Sequence, residues 1–288
     1  MCSHITATDR VDKEGDVLRP VPVARLKVFR TIVWDYYRKN GRHDLPWRKT
    51  TDPYKILVSE VMLQQTQVSR VIEKYRSFLK RFPNVRALAK APLSEVLKEW
   101  SGLGYNRRGK YLHDAAKEIV AKYRGNFEEA LRHQLPGVGP YTKAAVRAFA
   151  FNESGTLIET NIRAAAIHHF FPTSQIISDK RLLGTLEESA KGQDPREWHW
   201  ALMDYGAHLK KSGVRNNQQS AHYAKQSKFE GSLRQIRGAT LRALHNSSST
   251  ERQISGRLSL PLLSIKEALE GLALDGLIVK KKGRWSIA

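Results

Sequence analysis

The chain has 288 residues, 41% of them apolar, enough to bury a full core and to build roughly one to three domains. Lys and Arg number 49 against 28 Asp and Glu, and the net charge of +21 favours a polyanionic partner, nucleic acid first, without choosing a fold or a reaction. A single cysteine, Cys2, excludes an internal disulfide and any cysteine-ligated metal or iron–sulfur cluster, and there is no run of roughly 18 apolar residues to cross a bilayer. With no secretory pattern over residues 1–17, a cytoplasmic, nucleoid-associated protein without a membrane partner is expected.

Residues 1–22 lack periodicity and end in Arg19-Pro20-Val21-Pro22, which reads as a flexible leader. From Ala24 to Arg38, Leu26, Phe29, Ile32, Val33 and Tyr36 fall at helical spacing, until Gly41 and Pro46 interrupt the pattern. Pro53 opens a second helix carrying Ile56, Leu57, Val61 and Met62. The spacing predicts further helices over 69–82, 92–100, 106–124, 141–151, 160–171, 180–190 and 195–209. Strand-like alternation is nearly absent, so the body over 23–209 is all-α. Residues 210–232 are polar and read as an irregular bridge. Beyond them, helices over 233–245, Thr250–Leu258 and Ser264–Asp275 precede a hairpin turning at Lys282-Gly283, a winged-helix-like module over 233–288. Its ten Lys/Arg against four Asp/Glu suit duplex DNA; docking on another protein is the other use of such a fold.

The segment Leu135-Pro-Gly-Val-Gly-Pro-Tyr-Thr142 carries the strongest chemical signal. Gly137 and Gly139 leave a tight turn without side chains, so backbone amides around Gly137, Val138 and Gly139 can face a phosphate, aided by the positive end of the helix that follows. That would grip a nucleic-acid backbone without reading sequence; a plain Pro/Gly turn between helices is the alternative. Breaking an N-glycosidic bond needs a proton for the departing base and a negative charge for the oxocarbenium-like sugar. Glu60, inside an apolar helix where partial burial would raise its pKa, is the candidate for the first. Glu159, ahead of a helix whose N-terminus would favour the ionised form, is the candidate for the second. An ordinary helix-surface glutamate and an ordinary helix cap are the competing readings. A base reached by flipping leaves a gap. Gln65, among helix-end amides, and Tyr105, on a glycine loop beside Arg107 and Arg108, are candidates to fill it; Tyr105 could equally be a core aromatic.

Together these motifs resemble the adenine DNA glycosylases of the helix-hairpin-helix superfamily, over roughly residues 26–209. The resemblance runs through Leu45-Pro46-Trp47-Arg48, Pro53-Tyr54-Lys55, Ser59-Glu-Val-Met-Leu-Gln-Gln-Thr-Gln-Val68, Gly102-Leu-Gly-Tyr105, the Leu135–Thr142 hairpin, Asn161 and Ala201-Leu-Met-Asp-Tyr-Gly206. It implies an all-α helix-hairpin-helix glycosylase fold and a monomer acting on double-stranded DNA. It implies Glu60 as the acid that protonates adenine and Glu159 in the place of the family's catalytic aspartate, supported by Tyr141 and Asn161. Trp47, Arg48 and Leu63 would line the base pocket. Gln65 and Tyr105 would wedge the duplex, with Arg107, Arg108 and Lys143 as further DNA contacts and a monovalent cation as an option at the hairpin carbonyls. Relatives that also nick DNA carry lysine where Tyr141 stands, which implies a monofunctional enzyme, with weak lyase activity left open by Lys143.

Three departures accompany the resemblance. A glutamate replaces the aspartate, and a carboxylate displaced by about 1 Å can cost on the order of 100-fold in rate. The four cysteines that bind a [4Fe-4S] cluster are absent, and His208 and His222 are too few to replace them, so no cofactor is expected and the segment must be held by packing and hydrogen bonds. The lesion-reading C-terminal domain is replaced by the winged-helix-like module. Two alternatives remain at this stage: a glycosylase for another base (thymine or uracil opposite guanine, or deaminated adenine), and a catalytically silent DNA-binding or regulatory protein.

Overall fold

The computed structural model describes residues 10–11, 17–18, 21–172, 176–221 and 228–288. Among them are fourteen α-helices and two short antiparallel strand pairs, as an all-α body requires. The expected helices appear as Val23–Asn40, Pro53–Leu63, Val68–Arg81, Leu93–Trp100, Arg107–Tyr123, Pro140–Phe151, Thr160–Phe170, Asp179–Ala190 and Pro195–Lys211. Val85–Lys90 and Phe127–Ala130 form helices that periodicity does not predict, each too short to show a repeat. Both start at an asparagine: Asn84 Oδ1 accepts from the Ala87 amide (2.9 Å) and Asn126 Oδ1 from the Glu129 amide (3.1 Å). Most of the leader falls outside the described residues; within it Arg10–Val11 pairs with Val17–Leu18.

The chain divides into two compact units that cut across the boundary expected at residue 209. One gathers residues 1–44 and 147–225, the other 45–146 and 226–288. In the first, Phe29 on the opening helix meets Phe170 at 4.9 Å and Trp198 at 6.0 Å between ring centroids. Trp34 Nε1 donates to Gln193 Oε1 (2.7 Å) and the Tyr37 hydroxyl to Glu197 (2.8 Å), so the N-terminal helix is tied to the late helices rather than to its neighbours in sequence. Here the segment after Lys211, read as irregular, forms a 3-10 turn over Asn216–Gln219. It is held by hydrogen bonds from the Ile177 amide to Gln219 O (2.7 Å) and from the Ala221 amide to Ile177 O (3.0 Å), and by contact of Asn216 Nδ2 with His168 Nδ1 (3.3 Å). His222 lies outside the described residues.

In the second unit the C-terminal residues form Leu233–Ala243, Glu251–Leu258, Leu262–Leu274 and an antiparallel hairpin of Ile278–Lys281 with Arg284–Ile287, the order expected from sequence. Thr250 closes a reciprocal capping box with Gln253, worth about 1 kcal/mol. The core of this module, Leu241, Leu244, Ile254, Ile265, Leu269 and Trp285, also takes in Leu97 of the Leu93–Trp100 helix. That shared burial explains why the C-terminal residues group with 45–146.

Candidate active site

Glu159 is the N-cap of Thr160–Phe170. Its backbone is extended, and its side chain folds back so that Oε1 accepts from the amides of Asn161 and Ile162 (2.8 Å each). Oε2 accepts from Asn161 Nδ2 (3.1 Å), and Lys210 Nζ donates to Asn161 Oδ1 (3.1 Å), so both carboxylate oxygens are fixed by one helix turn. The helix cap is thus real, and it is what orients the carboxylate. Burial works against the helix terminus: desolvation pushes the Glu159 pKa up from its ordinary value, against the two amides and the charges of Lys210 and Arg163, which lower it. Arg163 is itself forked onto Asp179, with both contacts at 2.6 Å.

The surroundings of Glu159 contain residues that sequence reasoning did not single out. A Cβ on Gly206 would lie 1.9 Å from the carbonyl oxygen of Asn161, so the Pro195–Lys211 helix reaches the Glu159 turn only with glycine there. His199, buried, accepts from the Leu157 amide through Nε2 (3.3 Å), while its Nδ1 lies 2.6 Å from Pro195 O, fixing the segment that leads into Glu159. Asp204, also buried, receives the Arg42 amide (2.7 Å) and guanidinium (2.6 Å). Gly206 and Asp204 belong to a motif visible in sequence, but their reasons are tertiary; Lys210 looks there like any member of a basic run.

In the other unit, Glu60 is only 7% exposed, buried more fully than expected, in a helix where Ile56, Leu57, Val58, Val61 and Met62 are buried too. Gln64, at that helix's end, donates to the Thr142 hydroxyl (3.3 Å), which brings the end of the Glu60 helix to the turn carrying Tyr141. Gly137 sits at φ +68°, and a Cβ there would meet Tyr111 at 2.5 Å; at Gly139 a Cβ would meet nothing within 4 Å. The first glycine is required by the turn, and the second leaves a backbone open to close approach. The Val138 amide, expected to face a phosphate, instead donates to Leu135 O (3.2 Å) inside the hairpin. Trp47 is buried edge-on to Tyr75 (5.5 Å), while Arg48, Leu63 and Lys143 are half-buried.

Gln65 (φ +54°) and Tyr105 (φ +47°) are both held in the left-handed region, an arrangement that costs about 1 kcal/mol or more each and recurs at functional sites. Tyr105 is 38% exposed, which removes the core-aromatic reading. Arg108, expected to contact DNA, is committed inward. Nη1 donates to the carbonyls of Val61, Met62 and Gln64 (2.7, 3.1 and 2.5 Å), and Nη2 to the Thr66 hydroxyl and the carbonyls of Leu103 and Gly104 (3.0, 3.2 and 3.1 Å). It therefore ties the Gln65 turn to the Tyr105 loop, and burial lowers its pKa to about 10. Arg107 pairs with Asp275 (3.2 Å).

An iron–sulfur cluster does not fit this chain. One cysteine cannot supply its thiolates.

Residues 58–191 match the HhH-GPD superfamily of base excision DNA repair proteins. An adenine DNA glycosylase of Mycolicibacterium smegmatis is 31% identical over 273 residues, covering 86% of this chain and 92% of that protein. One from Buchnera aphidicola subsp. Baizongia pistaciae is 36% identical over 183 residues, covering 62% of this chain and 52% of the relative, so the chain spans about half the length of that protein. Among solved structures, a thermostable thymine-DNA glycosylase aligns with a TM-score of 0.55 at 28% identity, over 64% of this chain and 87% of that one. The chain belongs to the adenine DNA glycosylase family of the HhH-GPD superfamily.

Proposed function

We propose that the chain is a monofunctional DNA glycosylase that hydrolyses the N-glycosidic bond of an adenine flipped out of duplex DNA, where it is mispaired with 8-oxoguanine or guanine. The observation that carries this reading is the Glu159 carboxylate fixed through both oxygens at a helix N-terminus, in a chain of this family. Glu60 donates a proton to the departing adenine, which leaves with the glycosidic electron pair. Ionised Glu159 stabilises the resulting sugar cation until water adds and gives up its proton to the Glu60 carboxylate, leaving an abasic site. Asn161 and Tyr141 support the carboxylate, and Trp47, Arg48 and Leu63 form the base pocket. Gln65 and Tyr105 fill the gap in the duplex, positioned by Arg108 rather than assisted by it. Gly137 and Gly139 meet the phosphate backbone with Lys143 nearby, and a monovalent cation at the hairpin carbonyls is part of the same proposal.

The enzyme acts as a cluster-free monomer inside the cell, at the nucleoid. Tyr141 in place of a lysine supports the absence of strand nicking. Single-turnover excision on duplexes carrying A:8-oxoguanine, A:G, A:C, T:G and U:G, followed by alkali, tests the reading: adenine is released by the wild type, and Glu60→Gln abolishes release while leaving DNA binding within about twofold. Equal loss of binding and release would sink the assignment of Glu60. A second reading, removal of thymine opposite guanine, is favoured by the likeness to the thymine-DNA glycosylase; release from T:G alone would establish it instead.

A further inference from the structure

Within the second unit a cleft of ≈ 680 Å³ lies between the Gly102–Arg108 segment and the Leu233–Ala243 helix. Arg234, Arg237, Arg242 and His245 line it from the C-terminal module, and Arg70 and Arg107 from the opposite wall; Asp275 is the one acid in the lining. Arg237 and Arg107 share that acid, so the lining keeps a large positive excess. Arg234 Nη1 donates to the Tyr105 hydroxyl (2.5 Å), and its guanidinium also lies 5.8 Å from the ring centroid, so the arginine face begins at the proposed wedge. The buried Nε2 of His245 has no hydrogen-bond partner among the described residues, and Phe229, 61% exposed, lies on the same rim.

Elsewhere in the module several basic groups are already engaged, while Lys281 and Lys282 stand exposed at the hairpin turn. The exposed face of Leu262–Leu274 carries Lys266 beside Glu267 and Glu270, and in the hairpin Lys280 is paired with Glu251 (2.9 Å) and Arg284 is bonded to Ser248. The cleft has the volume of a small-ligand site, and basic side chains beside aromatic rings are the pattern of a single-strand groove.

We infer that this cleft seats the phosphates of one DNA strand beside the Tyr105 loop, so that the C-terminal module engages DNA through its first helix and not through its third helix or hairpin. The inference rests on the glycosylase reading for its choice of DNA as partner. The test is the salt dependence of binding, measured by anisotropy on a labelled duplex with one A:G mispair and on the mispaired strand alone. Replacing Arg234 and Arg242 together by Gln lowers the log–log slope by about 1.8 on the duplex and about 1.4 on the single strand, replacing both by Lys restores it, and Lys281→Ala with Lys282→Ala leaves it unchanged. Thermal unfolding of each variant confirms that it is folded. An unchanged slope in the folded Gln variant would overturn the inference and leave the arginine face to a protein partner. A loss seen only in the hairpin variant, or only on duplex, would overturn it too. Adenine release from the same duplex is read in parallel. Release with an unchanged slope removes the cleft while keeping the enzyme, and a lowered slope without release does the reverse.

Discussion

Glu159 and Arg108 are opposite solutions to one problem, each placed in a different unit. Around Glu159 an anion collects donors: two backbone amides and the Asn161 side-chain amide converge on one carboxylate. Around Arg108 a cation collects acceptors: five carbonyls and a hydroxyl converge on one guanidinium. The carboxylate is held as a reactive group should be, with its own atoms fixed. The guanidinium is held so that others are fixed, namely the Gln65 turn and the Tyr105 loop, whose backbones are left-handed. Charge at a functional site can therefore be the instrument or its mount, and the partners rather than the sign decide which.

The strongest way to break the comparison is Gly206→Ala. With a Cβ 1.9 Å from Asn161 O, the two helices must separate; a loss of about 3 kcal/mol is expected, together with displacement of the Glu159 turn. Thermal unfolding measures the first and excision rate the second. A stable, fully active alanine variant would mean that the Glu159 turn is not held by helix contact. Next, Arg108→Lys keeps the charge but cannot span six acceptors, and a cost of about 2 kcal/mol is expected, with a larger loss in excision rate than in catalysis by any variant of Arg107. Rescue of activity by lysine would show that charge alone matters there. The smallest effect is in pH. Because desolvation raises the Glu159 pKa, the ionised form that the proposed mechanism uses is lost as pH falls through a value above 4.5, so the acid limb of the single-turnover rate should lie above that value. A midpoint at or below 4.5 would mean that the amides of Asn161 and Ile162 outweigh burial.

How far these anchors could be read from sequence differs between them. Periodicity locates the long helices to within a few residues, and the turn chemistry at Lys282-Gly283 locates the terminal hairpin, because both signals are local. Glu60, Glu159 and the glycine hairpin stand out because the chemistry proposed for them constrains residue type. Arg108 does not: an arginine bound for carbonyls and one bound for phosphates have the same neighbours in sequence, and only the fold of the Gly102–Tyr105 loop separates them. The direction of the Glu159 pKa is lost for a related reason, since the helix terminus is visible locally while the depth of burial is not. Leu97 shows the same limit for domains. Nothing in its own helix announces that it completes the core of a module over 130 residues later in the chain.

The bonds of His199 carry one more implication. With Nδ1 facing a carbonyl and Nε2 receiving an amide hydrogen, the imidazole can be only one tautomer, protonated on Nδ1, and it can serve only while neutral. A second proton would set two N–H groups against each other at Leu157, two residues before Glu159. Burial lowers the His199 pKa below 6.5, so the folded protein refuses a proton that the unfolded chain accepts. Mild acid thus drains stability from the fold before it reaches this ring, and the segment that delivers the Glu159 carboxylate stays in register until the fold itself begins to give way.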